Sequence, residues 1–112
     1  MAVYVSNLTV NTGTTFSQIF TLESADTNSA TDLTGFTASA QMRKHPGSST
    51  ATNFSTTIIN ATGGRIRVGL TTSQTSVLKP GRFVYDVLVT DSSGEVTRVL
   101  EGSVLVREGV TK

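Results

Sequence analysis

The chain has 112 residues but contains no cysteine, no tryptophan and a single histidine. The absence of cysteine excludes disulfide frameworks, thiolate zinc sites and a thiol nucleophile. The single histidine, His45, excludes a multi-histidine metal site within one subunit, and its place in the turn Lys44–Ser49 favours an exposed loop residue. We therefore expect no enzyme activity, no metal ion and no other cofactor.

Charged side chains are also scarce, because they make up 15% of the residues and leave a net charge of +1. Binding to DNA or RNA through counterion release needs a broad positive field, so nucleic acid is not an expected partner. No run of eighteen apolar residues occurs in the chain, and its first residues lack a basic segment followed by an apolar one. The sequence therefore predicts neither a signal peptide nor a membrane segment.

The chain is instead rich in hydroxyl-bearing and β-branched residues, with 20 Thr, 13 Ser and 13 Val. Branched side chains pack well on a pleated sheet and lose rotamer freedom in a helix, so this composition favours strands. A length of 112 residues fits one domain with one hydrophobic core. We expect residues 1–112 to form a single domain.

Alternation of apolar and polar residues predicts the strands of the first half and the middle of the chain. Phe16–Leu22, Phe36–Arg43 and Arg65–Thr71 alternate with a period of two. Further strands are expected at residues 3–10 and at Asn53–Asn60.

The second half of the chain predicts one short helix and one hairpin. Thr72–Leu78 has a possible N-cap at Thr72 or Ser73, and Pro80 follows its end. The hairpin joins Gly81–Thr90 to Glu95–Val106 through a turn that contains Asp91 and Gly94.

These elements amount to roughly seven or eight short strands with turn residues between them, and strands do not alternate with helices. The pattern predicts an all-β fold, an antiparallel immunoglobulin-like β-sandwich with one short helical turn.

One predicted strand has apolar residues on both faces. Phe83, Tyr85, Val87 and Val89 alternate toward the core, while Val84 and Leu88 lie beside Asp86 on the other face. If Asp91 faces Gly94 across the turn, Val99 joins Val84 and Leu88. The three residues then form either a contact surface for another subunit or a strip that merely suits a strand or is covered by a loop.

Two other features of the sequence could carry chemistry, and each has a simpler structural explanation, whereas a third feature could bind a neighbouring protein. Asp91–Glu95 resembles part of a calcium loop, but further oxygen ligands are missing, so a plain turn is expected. Asp86 could be a buried carboxylate, but a hydrogen bond or a pair with an arginine on another strand is the commoner outcome. Ser6–Thr15 could add a strand to the free sheet edge of a neighbouring protein.

Three segments together resemble a known family. They are Asp32–Ala38 with the motif DLTG, Pro80–Val87 with GRFVYDV, and Asp91–Val106 with a DxxG turn followed by GSVLV. Over residues 30–110 the chain resembles the N-terminal domain of phage baseplate upper proteins, a small immunoglobulin-like module of tailed bacteriophages.

The resemblance implies a virion structural protein, assembled in the host cytoplasm, that packs in several copies or as a homo-oligomer against other phage virion proteins. In that family the domain attaches a receptor-binding or fibre assembly to the particle, which implies a tail or baseplate adaptor. A capsid decoration protein is the alternative. A glycan-binding module is a weaker alternative, since it would need exposed aromatic side chains and the chain has no Trp and two Tyr.

Overall fold

The computed structural model describes residues 4–22 and 32–110, which form two packed β-sheets and one short helix. In chain order the elements are β1 (Tyr4–Val5), β2 (Leu8–Asn11), β3 (Phe16–Thr21), β4 (Thr37–Arg43), β5 (Thr52–Asn53), β6 (Ser55–Asn60), β7 (Arg65–Leu70), α1 (Thr72–Ser76), β8 (Gly81–Thr90) and β9 (Val96–Arg107). The expected all-β sandwich with one short helical turn is therefore confirmed.

The larger sheet has the order β1-β9-β8-β4-β5, with β2 also paired to β9, and the smaller sheet has the order β3-β7-β6. Neighbouring strands are antiparallel except at one edge, where β1 and β2 both run parallel to β9. The predicted strand donor Ser6–Thr15 already pairs within the chain, because its residues Leu8–Asn11 pair with Val104–Arg107.

The hydrophobic core lies between the two sheets and is built from the inward residues of each strand. On β7 the alternation places Ile66, Val68 and Leu70 in the core while Arg65 and Arg67 remain exposed. The same period of two buries alternate residues of β4 and β8. Burial thus explains why the alternating segments of the sequence became strands.

The predicted strand Asn53–Asn60 is in fact two strands on different sheets. Phe54 lies between β5 and β6, where the chain leaves the larger sheet for the smaller one. The Phe54 ring is buried, with its centroid 6.1 Å from that of Phe16 and 6.1 Å from that of Tyr85. Its backbone N–H donates to the Ala40 carbonyl at 3.0 Å. The apolar ring at this point therefore joins the two layers.

The N-cap of the helix lies one residue before the first of the two predicted caps, Thr72 and Ser73. Thr71 is the N-cap, and its hydroxyl accepts from the Gln74 N–H while the Gln74 side chain accepts from the Thr71 N–H. This reciprocal capping box satisfies two N–H groups that the helix leaves unpaired. Thr75 is buried, and its hydroxyl donates to the carbonyls of Thr14 and Thr72.

No helix in the ranges 4–22 and 32–110 is long and apolar enough to cross a lipid bilayer.

Candidate interface on the larger sheet

The two faces of β8 differ as the sequence predicts. Tyr85, Val87 and Val89 point into the core and are at most 4% exposed. Val84 and Leu88 are only half-buried and alternate with them, so they lie on the outer face of the larger sheet. The prediction that these two residues face away from the core is confirmed.

Val99 does not join them, and its predicted place on the outer face is wrong. The turn after β8 is one residue longer than expected, because the Asp91 N–H donates to the Glu95 carbonyl and Thr90 pairs with Val96. A shift of one residue moves every side chain of a strand to the opposite face. Val99 is consequently fully buried in the core.

A β-bulge then resets the alternation of β9. Val87 pairs with Leu100 and Leu88 pairs with Arg98, so Val99 is an extra residue on β9 between these pairs. Val99 and Leu100 are both buried as a result. Arg98 lies on the outer face at the level of Leu88, on the turn side of the bulge, and beyond the bulge Glu101 returns to the outer face opposite Asp86.

Arg98 forms an ion pair with Asp86 on the outer face. The distance from Arg98 Nε to Asp86 Oδ2 is 3.2 Å, and the two side chains are 54% and 37% exposed. The expectation that Asp86 pairs with an arginine on another strand is confirmed. An ion pair with this exposure contributes at most about 1 kcal/mol to stability, and it places both charged groups on the face that carries Val84 and Leu88.

A row of polar side chains lies next to this pair on β4 and β5. The Gln41 amide donates to Asn53 Oδ1 at 2.6 Å, and Arg43 donates to Gln41 Oε1 at 3.1 Å and to the Ser48 carbonyl. Arg43 pairs in register with Val84, and Gln41 pairs with Asp86. The polar row therefore borders the residues of β8 that carry the apolar groups.

The outer face contains an open groove of about 810 Å³. Its lining combines apolar and charged residues from four strands and the turn after β4, namely Val5, Gln41, Arg43, Pro46, Val84, Tyr85, Asp86, Leu88, Arg98, Glu101 and Gly102. A second depression of about 300 Å³ shares Gln41, Asp86 and Leu88 with it. We call the surface formed by Val5, Val84, Leu88, Asp86 and Arg98 the outer patch.

The N-terminal strands form one rim of the outer patch, and three contacts hold them in place. The Tyr85 hydroxyl donates to the Ser6 carbonyl at 2.7 Å, and Asn7 Oδ1 accepts from the N–H and the hydroxyl of Ser103, both at 3.1 Å. At Gly102 a Cβ would lie 2.1 Å from the Ser6 carbonyl oxygen, so only glycine allows this close approach. Sequence reasoning missed this arrangement.

Burial raises the pKa of the Tyr85 hydroxyl above its ordinary value of 10.0, and the hydrogen bond to Ser6 opposes that shift. The hydroxyl therefore remains protonated and continues to donate across the neutral range. This contact keeps Val5, which is 74% exposed, beside the groove.

The aspartates of the DLTG and DxxG motifs, Asp32 and Asp91, stabilise turns and lie outside the groove lining. Asp32 Oδ1 accepts from the hydroxyl and the N–H of Thr34, and these hydrogen bonds lower the pKa of Asp32. Asp91 Oδ1 accepts from the Ser93 hydroxyl and from the N–H groups of Ser93 and Glu95, which lowers the pKa of Asp91. The plain turn expected at Asp91–Glu95 is therefore observed.

His45 lies in an exposed turn in which its carbonyl accepts from the Ser48 N–H. It is thus the exposed loop residue that the sequence predicts. Among the residues that the structure describes, no cluster of three or more His, Cys, Asp or Glu side chains could hold a metal ion.

No protein-family model and no curated protein matches the chain. Among solved structures it is similar to a mutant of the SrpA adhesin from Streptococcus sanguinis, with a TM-score of 0.52 and 16% identity over 96% of this chain and 56% of that chain. It is also similar to an internalin-like protein of Listeria monocytogenes, with a TM-score of 0.46 and 14% identity over 96% of this chain and 28% of that chain. The chain thus spans about half or less of these proteins, and at this identity the likeness extends to the fold alone.

Proposed function

We propose that the chain is a non-catalytic structural module of a tailed-bacteriophage virion, a tail or baseplate adaptor that packs in several copies against other virion proteins through the outer patch. The resemblance of residues 30–110 to the family of baseplate modules supports the virion role. The proposed location is the assembled particle, formed in the host cytoplasm.

One observation carries the assignment of the outer patch as the contact surface. Val84 and Leu88 lie half-buried on the face opposite the core, and Val5 beside them is 74% exposed. Protein interfaces combine apolar and polar groups, and in the outer patch Val5, Val84 and Leu88 surround the Asp86–Arg98 ion pair, with Arg43 and Gln41 on the border. Covering apolar surface contributes about 25 cal/mol for each Å² removed from water.

The polar groups of the outer patch are already held in place before any partner binds. Arg98 is fixed by Asp86, and Gln41 is fixed by Asn53 and Arg43. Ordering a flexible polar side chain on association costs about 0.5–1.5 kcal/mol. Side chains that are already ordered reduce this cost, which favours recognition of a complementary protein surface.

The chemistry of the groove supports a role without catalysis. Its two carboxylates, Asp86 and Glu101, lie on paired positions of β8 and β9, and Asp86 is bound by Arg98. The Asp86 carboxylate is thus engaged by the Arg98 guanidinium, which is a structural role. The groove is also open to solvent on one side, whereas ligand pockets usually bury most of the surface of a bound molecule.

The experiment that tests the virion role is quantitative mass spectrometry of purified phage particles, fractionated into tails and capsids. We expect the protein in several copies per particle in the tail fraction. Recovery in the capsid fraction would identify the capsid decoration alternative. Absence of the protein from purified particles would contradict the virion role.

The outer patch is tested by substitutions that replace its apolar side chains with a hydroxyl-bearing one. Val84→Thr and Leu88→Thr should leave the circular dichroism spectrum unchanged and reduce incorporation into particles at least several-fold. Val77→Thr is the matched control, because Val77 is 80% exposed at the end of α1, away from the outer patch. Equal incorporation of all three variants would contradict the assignment of the surface.

A further inference from the structure

The smaller sheet has a free edge at β3. This strand pairs with β7 on one side and is the last strand of its sheet. Within residues 4–22 and 32–110, no strand pairs with the other side of β3. An unpaired edge offers a row of N–H and C=O groups to another strand.

The pairing register shows which backbone groups point outward from this edge. The Leu22 N–H donates to the Gly64 carbonyl at 2.8 Å, and the ladder continues from there with Thr21 opposite Arg65 and without a shift. Residues of an antiparallel strand alternate between bonding to the partner strand and pointing away from it. Ser17, Ile19 and Thr21 therefore direct their N–H and C=O groups away from β7.

The other sheet edges are interrupted, whereas β3 is not. The strand β5 has two residues, β6 carries a register shift between Ile58 and Asn60, and the edge formed by β1 and β2 is broken at Ser6 and Asn7. In contrast, β3 has six residues in unbroken register, with the sequence FSQIFT. It contains no charge and no proline, the two features that usually protect an edge.

The outward groups of β3 are arranged symmetrically about Ile19. If two copies of β3 run antiparallel with Ile19 facing its counterpart, Ser17 of each copy faces Thr21 of the other. All three outward N–H groups and all three carbonyls of each strand then find partners. Ile19, which is 45% exposed, meets its counterpart on the outer face of the sheet, and the pair covers apolar surface of both copies.

A charged residue near the edge, Arg67, causes little electrostatic repulsion between the two copies. Arg67 lies opposite Ile19 on β7, so the two copies of Arg67 would be three strand spacings apart, about 14 Å. The screening length at physiological salt is about 8 Å. Repulsion between the two copies is therefore weak.

We propose that two copies of the chain associate through β3, antiparallel and centred on Ile19, so that two three-stranded sheets become one continuous sheet. The occupant of the free edge is thus a second copy, because β3 itself supplies the uncharged, complementary strand. This contact lies on the smaller sheet and leaves the outer patch of the larger sheet accessible. It does not depend on the proposed function.

Sedimentation equilibrium of the full chain over micromolar to millimolar concentrations tests the association. We expect a monomer–dimer equilibrium for the wild type and for Val77→Lys. Ile19→Lys places two charges together at the symmetry axis and should be monomeric at every concentration. A monomeric wild type at millimolar concentration, or dimers of Ile19→Lys that equal the wild type, would overturn the proposal.

Cysteine cross-linking tests the register, because the chain has no cysteine of its own. Facing residues on such strands have Cα atoms about 5.5 Å apart, which is within the range of a disulfide. Ile19→Cys should form an intermolecular disulfide at least tenfold faster than the equally cysteine-bearing control Val77→Cys. Equal rates for the two variants would overturn the proposed register.

Amide hydrogen exchange distinguishes pairing of β3 with a second copy from pairing of β3 with another segment of the same chain. Protection of the Ser17, Ile19 and Thr21 amides that rises with protein concentration supports pairing between copies. Strong protection of the same amides that is independent of concentration in a monomer would show that another part of the chain covers the edge, and this result would refute the proposal.

Discussion

Gly102→Ala is the substitution for which the structure makes its sharpest prediction. A Cβ at this position would lie 2.1 Å from the Ser6 carbonyl oxygen and 2.8 Å from the Ser6 carbonyl carbon. Both are backbone atoms, so the clash cannot be relieved by rotating a side chain. The substitution must therefore displace the N-terminal segment from β9.

The expected cost follows from the hydrogen bonds that this displacement breaks. They are the bond from the Ser6 N–H to the Glu101 carbonyl at 3.0 Å, the bond from the Tyr85 hydroxyl to the Ser6 carbonyl at 2.7 Å, and the bond from the Ser103 N–H to Asn7 at 3.1 Å. A hydrogen bond contributes about 0.5–1.5 kcal/mol net. We expect Gly102→Ala to lower the free energy of unfolding by roughly 2–4 kcal/mol.

Urea unfolding followed by circular dichroism measures this change, and Gly47→Ala is its control. A Cβ at Gly47 meets only the His45 ring at 3.7 Å, an ordinary contact, so the control should change stability by less than about 0.5 kcal/mol. If Gly102→Ala unfolds at the same urea concentration as the wild type, the close approach of Ser6 to β9 is wrong.

A double-mutant cycle identifies the cause of the loss. Tyr85→Phe removes the hydroxyl that donates to Ser6 and should cost about 1 kcal/mol in the wild type. In the Gly102→Ala background that hydrogen bond is already broken, so Tyr85→Phe should cost much less. Additive costs would mean that Gly102→Ala acts somewhere other than at Ser6.

Four further predictions concern pH and single side chains. The hydrogen bonds from Ser93 and Glu95 lower the pKa of Asp91 from 3.8. The stability that these bonds provide should therefore be present above pH 3.8 and lost as the pH falls through the lowered pKa. Asp91→Asn should reduce this acid loss when the melting temperature is measured as a function of pH. Burial raises the pKa of Tyr85 above 10.0. The contribution of the Tyr85 hydroxyl to folding stability should therefore be present below pH 10.0 and lost as the pH rises through the raised pKa. Thermal melts of Tyr85→Phe should lack this alkaline loss. Arg98→Ala should cost at most about 1 kcal/mol in urea unfolding, because the ion pair with Asp86 is exposed; a larger cost would show that Arg98 supports the bulge itself. Thr75→Val should cost about 1–3 kcal/mol in urea unfolding, because the carbonyl of Thr14 loses a buried donor.

The faces of several strands could be predicted from the sequence because burial between two sheets imposes a period of two. Val84 and Leu88 were placed correctly for this reason, as were the inward residues of β7. The pairing of Asp86 with an arginine was also predictable, because a carboxylate on a strand commonly finds a cation on the neighbouring strand.

Val99 was misplaced because register depends on the length of one turn. The Asp91 hydrogen bond to Glu95 lengthens that turn by a residue, and neither alternation nor turn composition distinguishes the two lengths. The longer turn also brings Arg98 to the outer patch, and the bulge at Val99 then adds a second shift that places Glu101 opposite Asp86. The passage of the chain from the larger to the smaller sheet at Phe54 could not be predicted either. An apolar residue at this position fits both a continuous strand and a strand that changes sheet.

The parallel pairing of β1 and β2 with β9 could not be derived from local pattern at all. It joins residues that are almost a hundred positions apart, such as Asn7 and Ser103, and local periodicity carries no information about such a pairing. The glycine at position 102 was the available signal, because a glycine inside a strand often marks a close backbone approach.

The central claim is that this chain is a virion module that packs through the outer patch. The most direct test is a cryo-electron microscopy map of the purified phage particle. We predict several copies of the domain in the tail or baseplate, with Val84 and Leu88 covered by a neighbouring virion protein. A particle that lacks the domain, or one in which the outer patch faces solvent in every copy, would contradict the claim.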